Sequence, residues 1–200
     1  MNYPKTIDIK LEKVKETTST NDYLAKLCKE NKAKEFYTVV AESQTNGKGQ
    51  RGNTWEAESG KNLTFSMVLY PTALKAKEQF SLSMVAALSC HQALGNYTDG
   101  FSIKWPNDIY FGDSKVAGIL IENDLQGSQV LRSTIGIGIN VNQRCFLSDA
   151  PNPRSLADIA GHDVERRFVL EQFMEHFTSL FRKIENGNIA ALDAVHEADK

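Results

Sequence analysis

The run Ile135-Gly136-Ile137-Gly138-Ile139-Asn140-Val141-Asn142 reads as one strand with two unlike faces. At the strand period of two, Ile135, Ile137, Ile139 and Val141 point to one side, and Gly136, Gly138, Asn140 and Asn142 to the other. The branched side suits a packed core. The glycine side is bare and makes room for something flat, either a ligand read at its polar edge by Asn140 or an overlying piece of backbone. Taken alone, the stretch leaves both uses open.

Working outward, residues 115–122 form a second apolar strand, and the turn chemistry of 124–127 separates it from a strand over 130–141. Residues 101–104 predict a further strand, followed by the turn formers Pro106-Asn107-Asp108. Nearer the N-terminus, Ile7-Asp8-Ile9-Lys10-Leu11-Glu12 alternates apolar and polar, and 36–41 reads as a strand. Leu63, Phe65, Met67 and Leu69 alternate with Asn62, Thr64, Ser66 and Tyr70, which predicts a half-buried strand stopped by Pro71. A helix is expected after Ser19 or Thr20, with Tyr23, Leu24, Leu27 and Cys28 on one face. Another covers 80–94 and is apolar on most sides. A short one covers 155–160, stopped by Gly161, and the last carries Val169, Phe173, Phe177, Leu180 and Ile184 and ends at Gly187. Strands and helices mix without the regular alternation of a doubly wound sheet. The expected fold class is therefore α+β, one domain with a mixed, largely antiparallel sheet flanked by helices.

At 200 residues, 41% hydrophobic and 24% charged, the chain can bury one sizeable core. Twenty-three Lys and Arg against 25 Asp and Glu give a net charge of −2, so no chain-wide field attracts DNA or an anionic membrane. No apolar run reaches membrane-spanning length. Cys28, Cys90 and Cys145 are odd in number and far apart, which suggests neither a disulfide framework nor a metal site, and fits a reducing, cytoplasmic setting.

Chemistry concentrates in two further segments. In Gln44-Thr45-Asn46-Gly47-Lys48-Gly49-Gln50-Arg51-Gly52-Asn53-Thr54-Trp55, three glycines and two cations share six positions. Exposed N–H groups on such a loop can cradle anionic oxygens while Lys48 and Arg51 neutralise charge. The spacing matches neither a Walker A loop nor GxGxxG, and the same composition also describes a solvated surface loop. The other segment is Lys104-Trp105-Pro106-Asn107-Asp108, followed by Lys115-Val116-Ala117-Gly118-Ile119-Leu120. Lys115 at the mouth of an apolar strand can pair with a ligand carboxylate or phosphate, and Gly118 lets a ligand lie against backbone. Both lysines and Asp108 are also consistent with ordinary strand-end charges and a turn former.

Together these segments resemble the biotin protein ligase family. The family's Ser-Thr-Asn start is matched by Ser19-Thr20-Asn21, and its glycine-arginine loop by residues 47–52 with Trp55 behind. Lys-Trp-Pro-Asn-Asp is matched by residues 104–108, Lys-x-x-Gly-Ile-Leu by 115–120, and Gly-x-Gly-Ile-Asn-x-Asn by 136–142. Order and spacing agree over roughly residues 15–186.

The resemblance implies a fold related to class II aminoacyl-tRNA synthetases and a two-step reaction. Biotin and MgATP give biotinyl-adenylate, and a lysine of a biotin carboxyl carrier protein domain then displaces AMP. It implies that Ser19, Thr20, Asn21 and Gln44 meet the ureido ring, and that Gly47, Lys48, Gly49 and Gly118 line the biotin pocket. Lys115 would lie between the carboxylate and the α-phosphate. Arg51, Gly52, Lys104 and Asn107 belong to the phosphate side, Trp55 to the adenine, and Asn140 to the nucleotide end. Asp108 is the expected base for the acceptor amine, Lys115, Arg51 and Lys104 the remaining catalytic residues, and 47–55 the expected lid.

Two departures stand out: Lys48 and Gln50 occupy positions where the family commonly carries arginine, which weakens bidentate recognition there. The 18 residues before Ser19 are too few for the helix-turn-helix that regulators of this family carry, so DNA binding is not expected. Residues 1–187 read as the catalytic domain and 188–200 as a remnant where the family usually has a small all-β domain. Pairing of an exposed strand edge would allow a homodimer. Lipoate or octanoate ligases and transferases of the same fold, and a non-catalytic biotin-binding module, are the alternatives.

Overall fold

The isoleucine and glycine run lies at the centre of a seven-stranded sheet. The structure, a computed structural model, describes residues 9–147 and 152–188. Its strands are β1 (Leu11–Thr17), β2 (Thr38–Gln44), β3 (Leu63–Leu69), β4 (Phe101–Lys104), β5 (Asp108–Phe111), β6 (Ser114–Gln126) and β7 (Gln129–Ile139), in the spatial order β1-β2-β3-β7-β6-β5-β4. Only β1 and β2 run parallel, and every other neighbouring pair is antiparallel. The helices are α1 (Thr20–Lys29), α2 (Phe80–Gly95), α3 (Leu156–Ala160) and α4 (Arg166–Glu185).

Parity along the strands sorts the layers. Phe65 and Met67 of β3 and Ile135, Ile137 and Ile139 of β7 join Leu82, Val85 and Leu88 of α2 and Phe173, Phe177 and Phe181 of α4 in one core. The α4 phenylalanines recur every fourth residue and so share a face. Phe65 meets Phe173 edge-on at 5.2 Å, and Phe177 stacks on Phe181 at 6.0 Å. Each such ring withdraws enough apolar surface to contribute about 2–3 kcal/mol. On the opposite face, Leu24 and Cys28 of α1 pack on Val39 and Val68 in a smaller cluster. This front layer covers the β2–β3 side and reaches Gly136 of β7 through Asn21, which leaves Gly138 of β7 and Gly118 of β6 to the glycine-rich loop.

Several local expectations shift, among them the end of β6, which runs to Gln126 and not 122. The first strand is Leu11–Thr17 and not 7–12, part of which lies outside the described residues. Phe36 has φ 60°, so β2 begins only at Thr38. All seven residues of β3 are buried, because its polar side faces α1 and the loop. Finally, Asp108 opens β5, a four-residue strand between two turns that is too short to display a period. The short helix ends where Gly161 predicts, at φ 80°, and begins one residue after Ser155, whose hydroxyl accepts from the Asp158 N–H. No described helix is long and apolar enough to cross a membrane.

Candidate active site

Gly136 and Gly138 face forward, as the parity of β7 requires, but their face is not empty. A Cβ on Gly138 would lie 2.3 Å from Cε2 of Trp55, and one on Gly118 of β6 would lie 2.9 Å from Cζ3 of the same ring. The indole therefore lies flat on backbone in a slot that side chains would fill. A Cβ on Gly136 would meet Oδ1 of Asn21 at 2.3 Å. The cavity left between these groups is about 50 Å³. Pockets for drug-sized molecules run to several hundred Å³, so the slot is shut while Trp55 occupies it.

The closed end of the slot is polar. It begins at the N-terminus of α1, where Ser19 occupies the capping position without a side-chain capping bond. Gln44, at the end of β2, caps the helix instead: its Oε1 accepts from the Thr20 N–H at 2.7 Å and from the Thr20 hydroxyl at 3.1 Å. Ser66 of β3 sits beneath, its hydroxyl 2.6 Å from that of Thr20 and 2.5 Å from Asn21 Oδ1. Asn21 also donates to Glu122 of β6 at 2.7 Å. Ser19, Thr20, Asn21 and Ser66 are all at most 4% exposed, so this array is buried, and Thr20, Asn21, Gln44 and Ser66 already bond to one another.

At the mouth, Lys115 Nζ lies 2.8 Å from Asp108 Oδ1, with both side chains about one-fifth exposed. Asn107 donates to the same carboxylate at 2.9 Å, and the Lys115 ammonium stands 5.8 Å from the Trp55 ring. The loop closes on itself through Gly49 N–H to the Asn53 carbonyl at 2.7 Å and Trp55 N–H to the Gly47 carbonyl at 2.8 Å. Lys48 ties it to Asp22 in the first turn of α1 at 2.5 Å, a hydrogen bond that raises the Lys48 pKa. Arg51, at φ 55°, makes the exposed tip with Gly52.

Eleven expected residues thus line one slot. Ser19, Thr20, Asn21 and Gln44 close it, Lys48, Gly49 and Trp55 cover it, and Asn107, Asp108, Lys115 and Gly118 form the mouth and wall. Gly47 lies beside Gln44 and Trp55. Arg51, Gly52 and Lys104 stand outside, the Lys104 ammonium 5.0 Å from the Tyr110 ring. Asn140 is 3% exposed behind the wall, its Nδ2 3.4 Å from the Lys115 carbonyl oxygen. The sequence reading passed over Ser66, Glu122, Asn62 and Gln143 as functional residues. Ser66 carried a faint signal as a polar residue in an apolar strand; Glu122 and Gln143 fall just past the motifs at 115–120 and 136–142, and Asn62 just before β3.

Fold and slot together define a class: an α+β domain whose sheet carries a glycine-walled slot with a lysine–aspartate pair at its mouth. Within that class, the chain belongs to the Biotin/lipoate A/B protein ligase family, whose sequence profile matches residues 14–140. It is 34% identical over 161 residues to the bifunctional ligase/repressor BirA of Bacillus subtilis (strain 168), covering 76% of this chain and 48% of that protein. It is 34% identical over 154 residues to the biotin–[acetyl-CoA-carboxylase] ligase of Paracoccus denitrificans, covering 72% and 61%. The chain thus spans about half to three-fifths of the length of these relatives. Against the biotin protein ligase from Aquifex aeolicus in complex with biotin and ATP, the TM-score is 0.80 at 32% identity, over 94% of this chain and 76% of that one. The mixed, largely antiparallel sheet with its helices is the catalytic fold of biotin protein ligases, the class II aminoacyl-tRNA synthetase type.

Proposed function

We propose that residues 1–187 form the catalytic unit of a cytoplasmic biotin–carrier-protein ligase that converts biotin and MgATP to biotinyl-5'-AMP and passes the biotin to a lysine of a biotin carboxyl carrier protein domain. The observation that carries this reading is the Lys115–Asp108 pair at the mouth of a glycine-walled slot whose closed end is an array of hydrogen-bonding groups. Similarity to relatives named for biotin ligation supports the choice of acid.

The ureido ring meets Ser19, Thr20, Asn21 and Gln44, and its tail runs past Gly118 beneath Gly47, Lys48 and Gly49 once Trp55 lifts from the wall. Two anions must then meet. Lys115 leaves Asp108 for the biotin carboxylate and the α-phosphate, which lowers the repulsion between them, and positioning in the slot contributes the rest. A carboxylate oxygen attacks the α-phosphorus, a new P–O bond forms and the P–O bond to pyrophosphate breaks; magnesium carried on the ATP phosphates would offset their charge. Arg51 and Gly52, swung inward on the lid, and Lys104 and Asn107 at the rim meet the phosphates. Trp55 packs by the adenine, and Asn140 supports the nucleotide end through the Lys115 backbone.

An acceptor lysine is protonated at neutral pH, its ordinary pKa being about 10.4. Asp108, released by Lys115, takes that proton; the amine nitrogen bonds to the acyl carbon, the acyl C–O bond to AMP breaks, and the second amine proton leaves with the departing phosphate or to water. The closed lid keeps water from the mixed anhydride in between.

Biotin-dependent exchange of labelled pyrophosphate into ATP tests the reading, with lipoate and octanoate in parallel. Exchange with biotin alone, reduced about 100-fold or more in Lys115→Ala, is expected. Exchange with lipoate or octanoate but not biotin would move the chain to the other branch of the family. Biotin binding without exchange would make it a binding module.

A further inference from the structure

The segment between the loop and β3, residues 56–61, has no regular structure, yet it carries the lid. It is fastened at several points: the Gly60 N–H donates to the Glu42 carbonyl, the Asn142 N–H to the Lys61 carbonyl and the Leu147 N–H to the Glu56 carboxylate, but one side chain grips it at two residues at once. Gln143, 1% exposed just past the end of β7, uses all four hydrogen-bonding positions of its carboxamide. Its Oε1 accepts from the Glu58 N–H at 2.9 Å and from Asn62 Nδ2 at 2.6 Å, and its Nε2 donates to Glu56 Oε1 at 3.0 Å and to the Cys145 carbonyl at 2.8 Å. Donors lie on one side and acceptors on the other, so only one orientation of the amide fits.

The network continues inward. Asn62, 2% exposed, accepts from the Val141 N–H at 3.0 Å, and its Nδ2 lies 3.4 Å from Asn140 Oδ1. Asn140 in turn reaches the carbonyl of Lys115. One set of buried amides therefore joins the root of the lid to the backbone of the lysine at the mouth. Glu56 is the residue next to Trp55, so the fixed point lies one residue from the indole that covers Gly118 and Gly138.

We propose that Gln143 is a positioning residue for acyl-adenylate formation: by holding Glu56 and Glu58 against the end of β7, it sets the pivot about which the lid opens and the place to which Trp55 returns. A lid that swings must be rigid at its root, since slack there moves the ring off its glycine wall and admits water. The role in adenylate formation rests on the ligase reading, whereas the pivot itself does not.

Gln143→Glu tests it, because the shape is kept while the Nε2 donor is lost and a second carboxylate is set against Glu56. The backbone N–H groups of Gly49 and Trp55 are read by hydrogen exchange. Neither contacts Gln143, so damage confined to the clamp leaves them unmoved. Exchange about tenfold faster at both is expected, with the Ile137 N–H in the sheet as an unchanged reference and the KM for biotin rising more than kcat falls. In Glu56→Gln/Gln143→Glu, a donor again faces a carboxylate, and exchange should return toward wild type. Should Gln143→Glu not fold, Glu56→Ala removes the acceptor of Gln143 Nε2 from the loop side, together with the bond from the Leu147 N–H, and is read in the same way.

Unchanged exchange at Gly49 and Trp55, or equal acceleration at Ile137, would overturn the pivot. So would a double variant as loose as the single one. Faster exchange in a chain that never catalyses pyrophosphate exchange would keep the pivot and overturn the ligase reading.

Discussion

On the helix side of β7, Ile135, Ile137 and Ile139 are at most 3% exposed and interlock with Phe65 and the α4 phenylalanines; on the lid side, Gly136 and Gly138 contribute no side chain at all. One backbone serves both faces. The rear is filled by groups that have nowhere else to go, so its stability comes from volume and apolar area. The front is filled by Asn21 and Trp55, groups borrowed from other segments, and what is borrowed can be withdrawn. Trp55 Nε1 is buried without a hydrogen-bond partner, a cost that ends when the ring leaves.

The sharpest way to break this contrast is to give the front a side chain. Gly138→Val places a branched group where the indole or a ligand must lie. Pyrophosphate exchange should fall at least about 1,000-fold while the melting temperature changes by only a few degrees, measured by circular dichroism. The rear should behave in the opposite way. Phe173→Ala removes a fully buried ring, and a loss of about 3–5 kcal/mol in urea unfolding is expected, with biotin-dependent exchange per folded molecule close to normal. If Gly138→Val unfolds the protein or Phe173→Ala abolishes exchange in folded molecules, the two faces are not separable in this way.

Smaller changes sharpen the comparison. The exposed Lys48–Asp22 pair closes the lid on the front layer, and an exposed pair contributes well under about 1 kcal/mol to stability. Lys48→Ala should speed biotin association a few-fold in stopped-flow fluorescence without altering the melting temperature.

A comparably small effect concerns how the front layer is tied to the edge of the sheet. Tyr37 and Tyr23 donate to the Glu12 carboxylate at 2.5 and 2.7 Å, which holds its pKa below the ordinary 4.5. Because the folded value is the lower one, this contribution is present above about pH 4.5 and is lost as pH falls through the folded value. The Tyr37 hydroxyl is pushed up to about 12 by the same hydrogen bond, so at the alkaline end the contribution is lost as pH rises from 10 through that value. Tyr37→Phe should cost about 1 kcal/mol at neutral pH, with the difference shrinking in acid. A difference that stays constant down to pH 3 would show that the hydroxyl matters for packing and not for charge.

Much of this contrast was legible before any fold was known. Strict alternation in residues 135–141 separates the faces of β7, and the helical spacing of Phe173 and Phe177 assigns α4 to the core. The motifs around Lys115 and Gly118 also fall on the slot, because an indole laid on backbone demands glycine beneath it and Lys115 pairs with Asp108 at the mouth. Less was legible where contacts span long separations. That Gln44 caps α1, that Ser66 lies under Thr20, and that Gln143 holds the lid's root 85 residues away at Glu58 follow no local period. A buried amide and an exposed one read alike in a sequence.

By itself, then, the sequence determined the class of fold, the bare strand and the family to which the chain belongs, since periodicity and backbone-permissive residues act locally. The tertiary structure alone decided that Trp55 fills the slot, that Lys115 rests on Asp108, and that Arg51 and Lys104 stand outside. Those outcomes depend on which side chains from distant segments compete for the same small volume, and only the assembled packing resolves that competition.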